Sequence, residues 1–471
     1  MKRTAWGVCA LLMGLHATDA RADGGVLELT EVLRSVDVAF PTSNAARADV
    51  QIAQGEQLAA EGGFDLSWKT KASMQVMGYY AEQSRVDSYV ERPTSLWGTT
   101  FFAGWRYGQG KFPVYYKNYE TLDAGEARAG VNIPLLRNGP TDRRRTSLER
   151  ASLGLEAAQL GAKQQRLELR RAAAGRYWAW VASGKRLQVA QDLMQVAVER
   201  DKALEQRVKA GEIPNVERTE NARSLEQRRA QVAIAQRALE QAAIELGMYM
   251  RDERGDMRRP GPERLPSDLP VAADSTDQPE AAARLAASLR PEPKRFALQR
   301  RQFGAELAFT KNQLMPALDL QIVGSKDFGH NNPDRPDLRD PVLEVSLMLD
   351  IPIETRALRG RRDAALAGAV KLAAQEKLAN DRVKADVDDA LSARRAARER
   401  VKAAIEEVRL AVIVEKAERI RFDNGDGNML IVNQREQLTA EARLRELEAR
   451  LDVLRADVDL TAATGQLPDN G

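Results

Sequence analysis

Leu343-Glu344-Val345-Ser346-Leu347-Met348-Leu349-Asp350-Ile351-Pro352-Ile353 is the stretch on which the fold turns. Leu343, Val345, Leu347, Leu349, Ile351 and Ile353 share one face of an extended chain, and Glu344, Ser346, Met348 and Asp350 share the other, because successive side chains of a strand point to opposite sides. Pro352 closes the strand, and a helical pattern then holds over roughly 355–422, or 68 residues. At 1.5 Å per residue that is a rod of about 100 Å. A compact globule has no place for such a rod, whereas the wall of a tube does.

The same junction occurs 218 residues earlier, where Val131-Asn132-Ile133-Pro134 leads into a helix over roughly 141–206. Working outward from the two junctions exposes a duplication. Upstream, the strand entries Phe64-Asp65-Leu66 and Leu318-Asp319-Leu320 stand 254 residues apart, each after a helix (about 43–62 and 292–313) that begins at a proline break, Pro41 or Pro291. Downstream, the long helices end at Arg207-Val208-Lys209-Ala210-Gly211 and Arg421-Phe422-Asp423-Asn424-Gly425, 214 residues apart, and further helices of about 39 and 37 residues follow. In each half, two short helices laid end to end would nearly match one long helix. Glycine at each reversal supplies the positive φ that a helix terminus needs. The boundaries expected are a first repeat at 23–250 with its β-hairpin at about 64–135, a Pro/Gly-rich connector at 251–279, and a second repeat at 280–471 with its β-hairpin at about 317–353. The offset falls from 254 to 218 across the first β region, which therefore holds 36 additional residues: a longer hairpin or added strands.

Helix 141–206 carries two heptad stripes, Leu148, Leu155, Ala162, Leu169 and Leu153, Leu160, Leu167, Ala174, Val181. Positions five apart lie about 140° apart around the axis, so the two seams call for neighbours on both sides. The second long helix is rich in alanine (Ala364, Ala365, Ala367, Ala369), which permits close approach. Segment 66–76 alternates as 343–353 does, and 14 of the 25 aromatic residues lie between Phe64 and Tyr119, among them Trp97, Phe101, Phe102, Trp105, Tyr107, Tyr115 and Tyr116. Short alternating strands suit a barrel with lipid outside and water within, and Trp and Tyr favour membrane interfaces. A soluble sandwich is the other reading of the alternation alone.

Lys2-Arg3, the apolar run Ala5–Leu15 and Ala20-Arg21-Ala22 form a signal peptide expected at 1–22. The chain has 71 Lys+Arg against 68 Asp+Glu; removing that segment leaves 68 against 67, a balance that gives no reason to invoke nucleic acid. Cys9 is the only cysteine, and His16 and His330 are the only histidines. The exported chain therefore has no Cys nucleophile, no disulfide framework and no Cys/His metal set. No cofactor is implied. Acid pairs such as Asp388-Asp389 are the only enzymatic candidates, and they read more simply as a solvated helix face.

The duplicated helix–strand–strand–helix–helix plan, Pro134 and Pro352 at the strand-to-helix junctions, and the paired Arg-x-x-x-Gly turns together resemble the TolC family of outer-membrane efflux and secretion channels. The resemblance implies a mainly α protein with a membrane β-barrel portion. In it three copies, each giving four strands, share one twelve-stranded barrel above a helical barrel that projects into the periplasm, with an equatorial belt. It further implies that Arg207, Gly211, Arg421 and Gly425 lie at tips that meet a periplasmic adaptor, linked in turn to an inner-membrane transporter. Relatives often carry acids after the second tip; Asp426-Gly427-Asn428-Met429-Leu430-Ile431 has none near Ile431, and Glu217 and Glu220 after the first tip are the candidates for a lumen constriction. The function implied is a passive exit duct of the outer membrane. An exported coiled-coil scaffold or adhesin without a pore is the alternative.

Overall fold

The computed structural model describes residues 25–77, 82–110, 112, 119–252, 254–270, 278–330 and 336–466. The expected signal peptide and the aromatics Tyr115 and Tyr116 lie outside these residues. Among these residues eight α-helices and six strands follow in the order α1 (Leu29–Ala39), α2 (Pro41–Glu61), β1 (Ser67–Gln75), β2 (Gln83–Pro93), β3 (Thr100–Gly110), β4 (Gly125–Pro134), α3 (Arg143–Lys209), α4 (Asn215–Gly247), α5 (Pro279–Leu289), α6 (Pro291–Gln313), β5 (Ala317–Phe328), β6 (Val342–Asp350), α7 (Arg356–Asp423) and α8 (Met429–Ala463). The duplication is plain in the lengths: 11 and 11 residues for α1 and α5, 67 and 68 for the long helices α3 and α7. Pro41 and Pro291 each occupy the first turn of a new helix, where a missing N–H costs nothing, and so break α1 from α2 and α5 from α6. Helices α4 and α8, at 33 and 35 residues, are shorter than the 39 and 37 expected. Extended backbone at Pro214 and Asn428 delays their starts.

The helices form a rod. α2 packs along the sheet-proximal part of α3 and α4 along its distal part; α6 and α8 do the same along α7. Of the two stripes on α3, the second is buried at Leu153, Leu167, Ala174 and Val181 but half covered at Leu160, while Leu148, Leu155, Ala162 and Leu169 of the first are only half covered. At mid-rod a hydrophobic core gathers Val32, Leu33 and Val36 of α1, Tyr177, Trp180 and Val181 of α3, Leu246 of α4 and Leu451 of α8. Tyr177 donates its hydroxyl to the Leu27 carbonyl at 2.8 Å, and burial pushes its pKa up to about 12. The irregular segment after α4 closes on the same place: Arg264 donates to Glu31 and to the Gly25 carbonyl, and Leu265 lies against Gly184.

At one end of the rod stands a single antiparallel meander in the order β1-β2-β3-β4-β5-β6. The sheet of one chain thus has six strands, where the resemblance implies that each copy gives four to a shared barrel of twelve. The 36 additional residues do not merely lengthen a hairpin; the region that holds them contributes β2 and β3, inserted between β1 and β4. One face of the sheet carries Trp68, Met74, Val90, Phe101, Trp105, Val131, Ile322, Val345 and Leu347. The register places Lys71, Asp87, Arg106, Glu126 and Asp327 in one row on the other face. Arg106 pairs with Asp87 at 2.7 Å within that row, and the Tyr119 ring lies 4.1 Å from the guanidinium carbon of Arg85. No helix among the described residues is long and apolar enough to cross a membrane.

Candidate functional site

The far end of the rod holds two helical hairpins side by side, α3/α4 and α7/α8. Gly211 has φ +76° and Gly425 φ +84°. In the first turn Glu212 N–H donates to the Arg207 carbonyl and Gly211 N–H to the Val208 carbonyl, both at 3.0 Å; Asp426→Arg421 and Gly425→Phe422 repeat this at 2.9 and 3.1 Å. This pair of hydrogen bonds closing over a left-handed glycine is the Schellman arrangement, and it explains the Arg-x-x-x-Gly spacing. The arginine position supplies the carbonyl that the sixth residue caps, and its cation sits where the helix dipole is negative. A Cβ at either glycine would meet open space, so backbone conformation rather than crowding selects glycine there.

The tips are fastened to each other. Leu204, Phe422, Met429 and Val432 form a small buried cluster with Ile213 against it, and the Arg207 guanidinium lies 5.4 Å from the Phe422 ring centre. Glu217 of α4 accepts from the Met429 backbone N–H at 2.8 Å, while Asn428 accepts from Ile431 N–H at 3.0 Å. Two of the four orphan donors that open α8 are thus satisfied, one of them across the hairpins. Glu220 makes two bonds to Arg223, at 2.7 and 3.0 Å, and the Arg223 hydrogen bond holds its carboxyl below the ordinary value. Both carboxylates singled out for a constriction therefore have partners within the chain. Pro134 and Pro352 stand where expected: Pro134 is the last residue of β4 ahead of α3, and Pro352 lies between β6 and α7.

One group was not foreseen. Glu436 of α8, with its side chain 2% exposed, faces three guanidinium groups, one from each of the other three helices. Oε2 accepts from Arg200 of α3 and from Arg228 of α4 at 2.9 Å; Oε1 accepts from Arg419 of α7 at 2.9 Å. Arg228 also donates to the Leu193 carbonyl at 2.8 Å, and Arg200 to Asn433 at 3.1 Å. Burial by itself would raise the Glu436 pKa, but Arg200 and Arg228 together hold it below 4.5. The buried carboxylate is held chiefly by the two buried guanidinium groups, Arg200 and Arg228, so removing either partner would leave a buried charge uncompensated. The sequence signal was available: Met429, Val432, Glu436 and Ala440 recur at helical spacing, so a charge sits in a stripe of buried residues.

No curated protein matches this chain in sequence. Residues 282–466 match the family model described as outer membrane efflux protein. In three dimensions the chain is similar to the outer-membrane channel OprN, at 15% identity and TM-score 0.66 over 93% of this chain and 89% of that one. It is also similar to the MtrE outer membrane channel of Neisseria gonorrhoeae in its open state (18%, 0.64, 93% and 89%). The outer membrane protein VceC of Vibrio cholerae gives 16% identity and TM-score 0.64 over 93% of this chain and 96% of that one. The resemblance read in the sequence holds: residues 282–466 match the outer membrane efflux protein family, and over 93% of its length the chain has the fold of these channels.

Proposed function

We propose that this chain, whose residues 282–466 match the outer membrane efflux protein family, is one subunit of a homotrimeric outer-membrane channel that serves as a passive exit duct for a tripartite efflux or secretion system. One observation carries the reading: a single copy leaves large apolar surfaces uncovered at both levels of the molecule. On the sheet, Trp68 is 78% exposed and Leu347 64%. Lipid is the solvent that such an outer face suits. On the rod, Leu366, Val370, Leu378, Ile413 and Ile420 of α7 are exposed, and the first stripe of α3 is half covered. These seams suit neighbouring copies. In this reading the sheet lies in the outer membrane and the rod in the periplasm. The tips around Arg207, Gly211, Arg421 and Gly425 meet a periplasmic adaptor and, through it, an inner-membrane transporter. The irregular segment that begins at Arg251 forms the belt between the two repeats.

The test is assembly and conduction. The mature chain extracted from membranes in detergent is expected to scatter light as a trimer and to give ion-conducting steps in planar bilayers. A monomer stable without detergent, with no conductance, overturns the proposal and favours a scaffold without a pore.

A further inference from the structure

We propose that all six strands of each copy enter the barrel wall, so that the channel closes on eighteen strands with β1 of one copy paired to β6 of the next; this rests on the trimeric reading above. The argument begins with pairing. β1 and β4 touch no common strand except through β2 and β3: β2 is bonded along its length to β1 on one side and β3 on the other, and β3 to β4. The inserted hairpin cannot leave the wall without stripping β1 and β4 of their partners, and inside lipid an unpaired backbone is costly at every residue.

Chemistry agrees with pairing. The inserted strands keep the two faces of the sheet. Val86, Val90, Phe101, Ala103 and Trp105 continue the apolar face, and Asp87 and Arg106 continue the charged row between Lys71 and Glu126. A hairpin serving as an external loop would have no reason to hold this register, because a slip of one residue exchanges the faces.

The open edges supply the closure. The outer edges of β1 and β6 have no strand against them among the described residues, and both strands are exposed over nearly their whole length. On the charged face β1 bears Lys69 and Lys71, whereas β6 bears Glu344 and Asp350. Pairing β1 to β1 or β6 to β6 would bring like charges together; pairing β1 to β6 brings opposite ones. Six alternating strands also leave β1 and β6 antiparallel, so a head-to-tail ring continues the alternation without a break. Barrel diameter grows roughly in proportion to strand number, so the mouth would be about half again as wide as one of twelve strands, with about twice the cross-section. The repeat structure of the helical rod is unaltered by the insertion, so the widening is confined to the membrane end.

The experiment uses the full chain with Cys9→Ser, which leaves no other cysteine. Single variants Val90→Cys and Ala103→Cys on the apolar face, and Gln83→Cys and Thr100→Cys on the charged face, are reconstituted in lipid vesicles and treated with a water-soluble maleimide. Expected is rapid labelling of Gln83→Cys and Thr100→Cys, with labelling of Val90→Cys and Ala103→Cys slower at least tenfold and restored on unfolding in detergent. Thr70→Cys is then combined in turn with Leu343→Cys, Val345→Cys and Leu347→Cys and oxidised; one register is expected to give covalent dimers and trimers. Oligomers that form normally while Val90→Cys and Ala103→Cys label as fast as Gln83→Cys, or that cross-link in none of the three registers, overturn the eighteen-strand wall alone. Absence of oligomers from the Cys9→Ser parent overturns the channel reading itself.

Discussion

Glu436→Gln removes one negative charge from the place where the two hairpins are joined. In the native chain Arg228 has a side chain only 4% exposed and Arg200 only 13%, and both lean on the same Glu436 oxygen. Arg419 is 46% exposed, so water can replace its contact and its share is small. Breaking a buried pair from one side leaves the partner charge uncompensated, which costs about 3–5 kcal/mol. Here two guanidinium groups are left facing each other and an amide that donates as well as accepts. Taking about 3 kcal/mol for opening of the tips, exchange of the amide hydrogens there should accelerate roughly a hundred-fold at about 1.4 kcal/mol per factor of ten. The assay is hydrogen exchange with mass spectrometry on the detergent-held channel. Peptides spanning 197–232 and 415–440 are compared with those around Trp180 in the mid-rod core, which should not change. Arg228→Leu should come close to Glu436→Gln in effect, and Arg419→Gln should cost less than about 1 kcal/mol. The pH dependence has a fixed sign. The Glu436 pKa is lower in the folded state than its ordinary 4.5, so its contribution is present above pH 4.5 and is lost as the pH falls below that value through the folded pKa. Acid should therefore loosen the native tips and leave Glu436→Gln nearly unmoved. Tip exchange within threefold of native in Glu436→Gln, at neutral pH, would refute the account of this cluster as the clasp between the hairpins.

Three further outcomes follow from the geometry. Gly211→Ala and Gly425→Ala force a side chain into left-handed backbone, at about 1–2 kcal/mol each; tip exchange should rise accordingly, while the yield of assembled channel stays near native. Glu217→Gln weakens the bond that opens α8 at Met429, so exchange in the first turn of α8 should rise by several-fold; a change confined to ion selectivity in bilayers, with α8 unaffected, would place this carboxylate in the lumen instead. Tyr177→Phe leaves the buried Leu27 carbonyl without its donor, worth about 1 kcal/mol of thermal stability. The native hydroxyl, with its pKa raised to about 12, contributes fully below pH 10 and is lost as the pH rises from there, and a melt of Tyr177→Phe identical to native at pH 7 would argue against that bond.

The cluster also bears on how the two repeats work together. Each of the four helices at the tip contributes one group to it, so neither hairpin can shift along or away from the other without exposing Glu436 or leaving Arg228 unpaired. The same logic applies at mid-rod, where Arg264 reaches back to Glu31 and Tyr177 to Leu27. The segment after α4 is thereby held against α1 and the residues just before it. These two clasps lie on either side of the stretch of α3 and α4 that has the fewest buried residues.

By itself the sequence determined whatever is decided within a few residues of the chain. Prolines at Pro41, Pro134, Pro291 and Pro352 mark where helices begin or strands end, because a ring without an N–H is tolerated only there. Gly211 and Gly425 mark the reversals, because only glycine enters the left-handed region cheaply. Period two and period 3.6 separate strand from helix, and the two long helices were legible to within three residues of their ends. Counting offsets between the halves even located the 36 additional residues. It could not say what they form, since a long hairpin and two added strands have the same local alternation; only the partners across β1–β2 and β3–β4 distinguish them. Nor could spacing reveal that Glu217 serves the start of α8, 212 residues away, or that Glu436 gathers arginines from three other helices. Those contacts are made by side chains far apart in sequence, and which of many charged residues on each helix turns inward is set by the rotation and offset of the packed rods, a property of the tertiary structure alone.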